Sequence, residues 1–131
     1  MHETYLRLFG LQQIDFADHR HFFRTAATAM RRILVDHERQ RRAQKRIPAE
    51  AKLPIELGAE PIVSKEMDIL KFDDVLGRLA KLSSRQARIV ELRYFGGLTE
   101  SQVAEVLDIS RRTVTREMGV ARLWLRDQMS S

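Results

Sequence analysis

Arginine and threonine side chains are concentrated in the stretch RRTVTRE, residues 111 to 117. A guanidinium group presents a planar fork of donors that matches the two acceptor atoms on the major-groove edge of guanine. A threonine hydroxyl can donate or accept, and its methyl group can contact that of thymine. Arg111, Arg112, Thr115 and Arg116 could therefore read bases, provided that one exposed helix face carries all four.

The residues before this stretch predict the first helix of a helix-turn-helix. Thr99 can accept a hydrogen bond from the amide of Gln102, whose side chain can return one, as in a capping box. Val103, Ala104 and Leu107 then fall on one side of a short helix. The small side chain of Ala104 would let a second helix cross closely.

The turn and the second helix follow directly. Asp108 tolerates a left-handed backbone better than most residues, although many helix-turn-helix sequences have glycine there, and Ile109 can fill the angle between the helices. Ser110 is a suitable N-cap. The predicted buried face, at helical spacing, is Val114, Met118, Ala121 and Leu125. The arginines at positions 111, 112, 116 and 122 are then predicted to point outward.

Residues 65 to 131 are predicted to be helical throughout and to form a small four-helix bundle. Ser83 can cap one helix, with Gln86 three residues on, and Gly96 with Gly97 can end it. The predicted core residues are Ile69, Phe72, Leu76 and Leu79 in the first helix and Ala87, Val90 and Tyr94 in the second, with Trp124 closing the core.

The first block, residues 1 to 46, is predicted to contain a long helix from His21 to about Arg46. Its predicted inward residues are Phe22, Ala26, Ala29 and Ile33, with Leu34 and His37 as further candidates. The whole chain has a formal net charge of +5, and residues 31 to 46 account for it with seven basic and two acidic side chains. A polyanion is the natural partner of such a segment.

Residues 47 to 64 contain all three prolines, Pro48, Pro54 and Pro61. Proline at this density prevents a continuous helix and predicts a flexible linker. The chain has no cysteine, so disulfides and thiolate metal sites are excluded. No apolar run approaches the ~20 residues of a membrane span, and the N-terminus lacks the layout of a secretory signal. The sequence therefore favours a cytoplasmic protein.

Candidate catalytic residues are few. His19 and His21 would face different ways on a helix, and no carboxylate pair completes a metal set with them. Gly96 and Gly97 follow a predicted helix, whereas a phosphate-binding glycine loop follows a strand. The sequence therefore predicts no enzymatic activity, cofactor, metal or small-molecule substrate.

Two long motifs resemble one protein family. The stretch LSSRQARIVELRYFGGLTESQVAEVLDISRRTVTRE resembles the fourth domain of bacterial RNA polymerase sigma factors of the extracytoplasmic-function (ECF) group. HETYLRLF, followed by HFFRTAATAMRRILVDHERQRR, resembles their second domain. The resemblance implies an all-α fold, with a partial domain two in residues 1–46, a linker in 47–64 and domain four in 65–131. It implies a sigma factor that binds core RNA polymerase and directs promoter recognition and transcription initiation.

The same resemblance implies roles for individual residues. The positions that match the recognition helix for the minus-thirty-five promoter element are Arg111, Arg112, Thr113, Thr115 and Arg116. Those that match the basic helix gripping duplex DNA near the minus-ten element are Arg31, Arg32, Arg39, Arg41 and Arg42. Residues 15 to 23 match the loop and helix start that hold a flipped base. The surface that docks on the largest polymerase subunit is matched by Glu3, Tyr5, Leu6 and Leu8. An anti-sigma factor is a further candidate partner.

Two alternatives remain open from the sequence. The first is a stand-alone helix-turn-helix regulator, because LuxR-like output domains have a similar sequence to LTESQVAEVLDISRRTVTRE. Such a response regulator would need a doubly wound receiver domain, and no strand pattern appears in residues 1 to 46. A second alternative is an interaction module that only sequesters polymerase or an inhibitor. Family members carry further helical sequence before the HETYLRL motif, so we expect a loose, association-prone N-terminal half beside a well-folded C-terminal half.

Overall fold

The computed structural model describes residues 15–45, 52–54 and 66–130. This part of the chain contains five helices: α1 (Arg20–Lys45), α2 (Ile69–Leu82), α3 (Ser84–Tyr94), α4 (Glu100–Leu107) and α5 (Arg111–Ser130). Two strands of three residues, β1 (Lys52–Pro54) and β2 (Glu66–Asp68), lie between α1 and α2 in the sequence. The predicted all-α fold is confirmed, with this short hairpin as its only addition in the described ranges.

The hairpin corrects the predicted start of the C-terminal block. β1 and β2 pair antiparallel, with Lys52 opposite Asp68 and Pro54 opposite Glu66. The prediction that residues 65 to 131 are helical throughout is therefore wrong at 66–68. Asp68 explains where the helix begins, because its carboxylate accepts hydrogen bonds from the amides of Leu70 and Lys71. As the N-cap it must itself stay extended.

The predicted core of α2 and α3 is confirmed. Every predicted core residue of these two helices is buried, and Phe72 packs against the rings of Tyr94 and Phe95 at centroid distances of 5.9 and 5.7 Å. Ser83 caps α3 by accepting from the Gln86 amide. Trp124, predicted to close the core, is only partly buried and packs against its edge.

The C-terminal end of α3 also differs slightly from the prediction. Phe95, not a glycine, occupies the C-cap in a right-handed conformation. Gly97 has the left-handed backbone, at a φ of 71°. The amides of Phe95 and Gly96 both donate to the carbonyl oxygen of Glu91, so the last turn of the helix closes before the chain reverses.

Helix α1 packs against α2, α3 and α4, but with a different face from the predicted one. The buried apolar residues of α1 are Phe23, Ala27 and Val35, whereas Phe22, Ala26 and Leu34 are half-buried. The predictions for Ala29, Ile33 and His37 are wrong, because all three are exposed, Ile33 by 66%. The buried face also contains Glu38, which is fully buried, and the half-buried Arg31. These polar residues interrupt the apolar repeat on the buried face. The apolar pattern of the sequence therefore predicted that the neighbouring face is buried.

The close contact between α1 and α3 is possible because Gly96 has no side chain. A Cβ atom added at Gly96 would lie 2.6 Å from the carbonyl oxygen of Leu92 and 3.3 Å from the Cβ atom of Ala27. Both helices therefore approach closely where α3 ends. The apolar residues in the first turns of α1 are therefore covered by the helices that follow. The expectation of a loose N-terminal half assumed that this apolar face would have nothing to pack against.

Gly96→Ala is expected to lower the free energy of unfolding by about 1–3 kcal/mol, because a backbone oxygen cannot move aside as a side chain can. Gly77→Ala in α2 is the matched control. Its added Cβ has nothing within 4 Å, so the helix should gain about 0.5–1 kcal/mol. Urea unfolding of the full chain measures both. Equal effects of the two substitutions would contradict the close approach.

Candidate nucleic-acid interface

Helix α4 begins as the sequence predicts. The Thr99 hydroxyl accepts from the Gln102 amide at 3.2 Å, and the Gln102 side chain accepts from the Thr99 amide at 2.9 Å, which completes the capping box. Val103 and Ala104 are buried as predicted, while Leu107 is half-buried and packs against the core. The fixed start and the buried face together set the direction of α4 relative to α5.

The turn between α4 and α5 is tight. Asp108 has the left-handed backbone predicted for it, with φ 57° and ψ 47°, and no other described residue except glycine has a positive φ. The amide of Ile109 donates to the Ala104 carbonyl at 3.1 Å, and its side chain packs against the core. Ser110 caps α5 by accepting from the Thr113 amide at 3.1 Å.

Helix α5 divides into a buried and an exposed face. All four residues predicted to be buried, namely Val114, Met118, Ala121 and Leu125, are at most 1% exposed. On the opposite side, Arg111, Arg112, Thr115 and Arg116 are exposed. Within the described residues none of these three arginines forms a hydrogen bond or an ion pair, so their guanidinium groups are free to bind an external acceptor.

The threonine hydroxyls of α5 have partners inside the protein. Thr115 donates to Glu100 Oε1 at 2.7 Å, and Thr113 lies 2.8 Å from the Ser110 hydroxyl. Thr115 still offers its methyl group and an acceptor lone pair outward. Arg122, predicted to share the outward face, is half-buried, and its Nε atom is buried without a hydrogen-bond partner among the described residues.

Helix α3 holds α5 in place through a polar contact. Glu117 on α5 accepts hydrogen bonds from Arg85 and from Gln86, the latter at 2.7 Å. These bonds, the one from Arg85 first, hold the pKa of the Glu117 carboxyl below its ordinary value. The exposed face of α5 is therefore held in its orientation by the apolar core on one side of the helix and by this ionic contact on another.

A second contact supports the start of α4. Arg93 near the end of α3 is buried, and its Nη1 atom donates to the carbonyl oxygen of Leu98 at 2.6 Å. Burial lowers the pKa of the Arg93 guanidinium, since the charged form loses hydration. This bond fixes the chain one residue before the capping box.

The five arginines of α1 that match the family's basic helix fall into two groups. Arg31 Nε binds Asp73 Oδ1 at 2.5 Å and its Nη1 binds Glu91 Oε2 at 3.1 Å, while Arg42 binds Asp68 and Arg41 binds Glu38. Arg32 and Arg39 are exposed. Arg31, Arg41 and Arg42 are thus committed to carboxylates of the same chain, which the sequence did not indicate.

Residues 15 to 23, which match the family's loop and helix start that hold a flipped base, form a compact segment. Asp15 Oδ1 accepts from the amides of Ala17 and Asp18, and the backbone bond from Asp18 contributes most to lowering the pKa of Asp15. Phe16 and Phe23 are buried against each other at 4.6 Å, and Phe22 is half-buried. The residues matched to polymerase docking, Glu3, Tyr5, Leu6 and Leu8, lie outside the described residues.

The described ranges hold no group of three His, Cys, Asp or Glu side chains placed to bind a metal ion. Among the same residues, no helix combines the length and apolar character needed to cross a bilayer.

The paired helices, the tight turn and the free arginines define a helix-turn-helix of the DNA-binding class. The family model for ECF sigma factors matches residues 1–131. The chain belongs to the ECF sigma factor family, and its role is in transcription initiation. Core RNA polymerase and promoter DNA are the partners that this family implies. Comparison with curated proteins and with solved structures gave no significant match.

The Glu117 contact predicts a pH dependence of stability. Because its folded-state pKa lies below the ordinary 4.5, the ionised carboxylate stabilises the fold above that pH, and the contribution is lost as the pH falls through the folded-state pKa. Glu117→Gln should cost less than about 1 kcal/mol at pH 7, since Arg85 is half exposed. In urea unfolding at stepped pH, the difference from the wild type should shrink toward zero below 4.5. A difference that stays constant would contradict this contribution.

Proposed function

We propose that α5 lies in the major groove of the minus-thirty-five promoter element and that its exposed arginines read the bases. The observation that carries this proposal is the two-sided character of α5. Arg111, Arg112 and Arg116 are exposed and form no hydrogen bond or ion pair with the described residues, while Val114 and Met118 fix the opposite side in the core. Residues near the start of a recognition helix are those that reach base edges, and all three arginines lie within its first two turns.

The threonines have a supporting role in this proposal. Thr115 is exposed and offers a methyl group to a thymine, with its hydroxyl held by Glu100. Thr113 is half-buried against Ser110, so we assign it to the shape of the helix start and not to direct base contact. The Glu100 bond limits the rotamers of Thr115, which lowers the entropic cost of binding.

The proposal extends to the first block by family membership. In this proposal residues 1–46 belong to domain two and residues 65–131 to domain four, joined by the segment 47–64. Arg32 and Arg39 are the exposed cations of α1 that can contact DNA phosphates without breaking an internal ion pair. Arg31, Arg41 and Arg42 would contact DNA only after leaving their carboxylates. Glu3, Tyr5, Leu6 and Leu8 are proposed to dock on polymerase, and an anti-sigma factor is a further candidate partner.

Arg112→Ala tests base reading. The duplex is first selected from a randomised pool with the full chain, and binding is then measured by fluorescence anisotropy. A lost bidentate contact should cost about 1–3 kcal/mol and relax the preference at one base pair. Lys81→Ala removes the same charge from an exposed position at the end of α2 and is the matched control. Similar losses for both variants, on specific and scrambled duplexes alike, would refute base reading.

Arg39→Ala tests the proposed phosphate contact of α1. Affinity should fall equally on the selected and on the scrambled duplex, because a phosphate contact carries no sequence information. The slope of log K against log salt should lose about 0.9 for the one contact. An unchanged slope would remove Arg39 from the interface.

A transcription assay separates the sigma role from the alternatives. Co-purification with core polymerase and run-off transcription from a promoter containing the selected duplex support a sigma factor. Sequence-specific binding without either would indicate a stand-alone regulator. Polymerase binding without DNA binding would indicate an interaction module.

A further inference from the structure

A cleft between the first half of α1 and α3 has an unusual concentration of positive charge. Its volume is about 330 Å³, and its polar lining is His21, Arg24, Thr25, Thr28, Arg32 and Arg88. Apart from the adjacent Arg24 and Thr25, successive α1 residues of this lining lie three or four positions apart, so they share one side of the helix. Three guanidinium groups line the cleft, and none of its described lining residues carries a carboxylate.

The two arginines of α1 in this cleft are available for binding. Arg24 and Arg32 are exposed, and neither guanidinium group forms a hydrogen bond or an ion pair within the described part of the chain. Their positive charge is not offset by an ion pair in the described residues, so an anion bound between them would be attracted to both. An anion in the cleft would therefore meet guanidinium groups that need not give up another partner.

The third arginine is held in position by the protein. Arg88 Nη1 donates to the Thr28 hydroxyl at 3.4 Å and to Glu91 Oε1 at 3.3 Å. Glu91 lies behind the cleft, is 6% exposed, and also binds Arg31. The cation of Arg31 balances the carboxylate, which reduces its repulsion of an anion in the cleft.

The cleft also offers hydroxyl and imidazole groups. Thr25 Oγ1 lies 3.5 Å from His21 Nε2 on the adjacent turn. Thr28 is half-buried, and its hydroxyl already bonds the Arg24 carbonyl, Glu91 and Arg88, so it positions Arg88 and is not itself offered to an anion. Guanidinium forks, hydroxyls and an imidazole are the groups that proteins direct at phosphate oxygens. A carboxylate ligand would fill fewer of these donors, since it has two oxygens where a terminal phosphate has three.

We propose that the cleft binds a phosphate group, with Arg24, Arg32 and Arg88 as its cationic ligands. Because α1 and α3 both supply ligands, the site exists only while the two helices are packed together. Phosphate binding therefore stabilises the packed arrangement by mass action. The proposal does not depend on base reading by α5, because none of its residues belongs to the helix-turn-helix.

Isothermal titration of the full chain with inorganic pyrophosphate tests the site. Arg24→Gln is the principal variant, because Arg24 is exposed, its guanidinium group has no partner in the described residues, and the substitution keeps the carbonyl that accepts from Thr28. Pyrophosphate should bind the wild type with one site per chain and bind Arg24→Gln and Arg32→Gln at least about tenfold more weakly. Lys81→Gln, which removes an exposed charge outside both proposed sites, should bind as the wild type does. The unfolding midpoint should also rise with pyrophosphate more than with chloride at equal ionic strength.

Two results would overturn the proposal: equal stabilisation by chloride and pyrophosphate, or an affinity that Arg24→Gln and Arg32→Gln leave unchanged. A further arm identifies the source of the phosphate. If Arg24→Gln also weakens binding to a scrambled duplex and pyrophosphate displaces that duplex, the DNA backbone supplies the group. If duplex binding is unchanged while pyrophosphate binding is lost, a free phosphate compound supplies it. Loss of base reading in Arg112→Ala with intact pyrophosphate binding would separate the two sites.

Discussion

The pairing of one buried carboxylate determines how the first helix packs against the rest of the molecule. Glu91 on α3 is 6% exposed and accepts from the Thr28 hydroxyl at 3.0 Å, from Arg31 at 3.1 Å and from Arg88 at 3.3 Å. A buried carboxylate without such partners would cost several kcal/mol. Any arrangement of α1 that moved Arg31 and Thr28 away would leave most of that charge unpaired. The ionic contact therefore selects one docking geometry, and the apolar contacts of Phe23 and Ala27 then fill it.

Helix α3 links the two surfaces that we assign to binding. It contacts each of the other four helices in the described part of the chain, and most of its residues are buried. Arg85 and Gln86 hold α5 through Glu117, while Arg88 and Glu91 hold α1. The recognition arginines and the phosphate cleft are thus supported from one rigid helix. A disturbance of α3 is transmitted to both surfaces, although neither surface contains residues of the other.

Local signals in the sequence predicted the helix-turn-helix nearly residue by residue. The Thr99 capping box, the left-handed Asp108 and the buried face of α5 each depend on residues within one or two helical turns. The packing of α1 could not be predicted in the same way. Its buried face includes Arg31 and Glu38, which a pattern of apolar residues cannot reveal. The partners of Arg31 are 42 and 60 positions away, beyond the reach of any periodicity. The hairpin was missed because a three-residue strand leaves too little alternation to detect.

The long separations within the Glu91 contact have a consequence for the newly made chain. A ribosome completes α1 before it adds Asp73, and adds Glu91 later still. The bundle of α2 to α5 consists mainly of contacts between neighbouring helices, which form quickly. The orientation that Asp73 and Glu91 together give Arg31 can therefore arise only after α3 has been made, so the docking of α1 follows the start of the bundle.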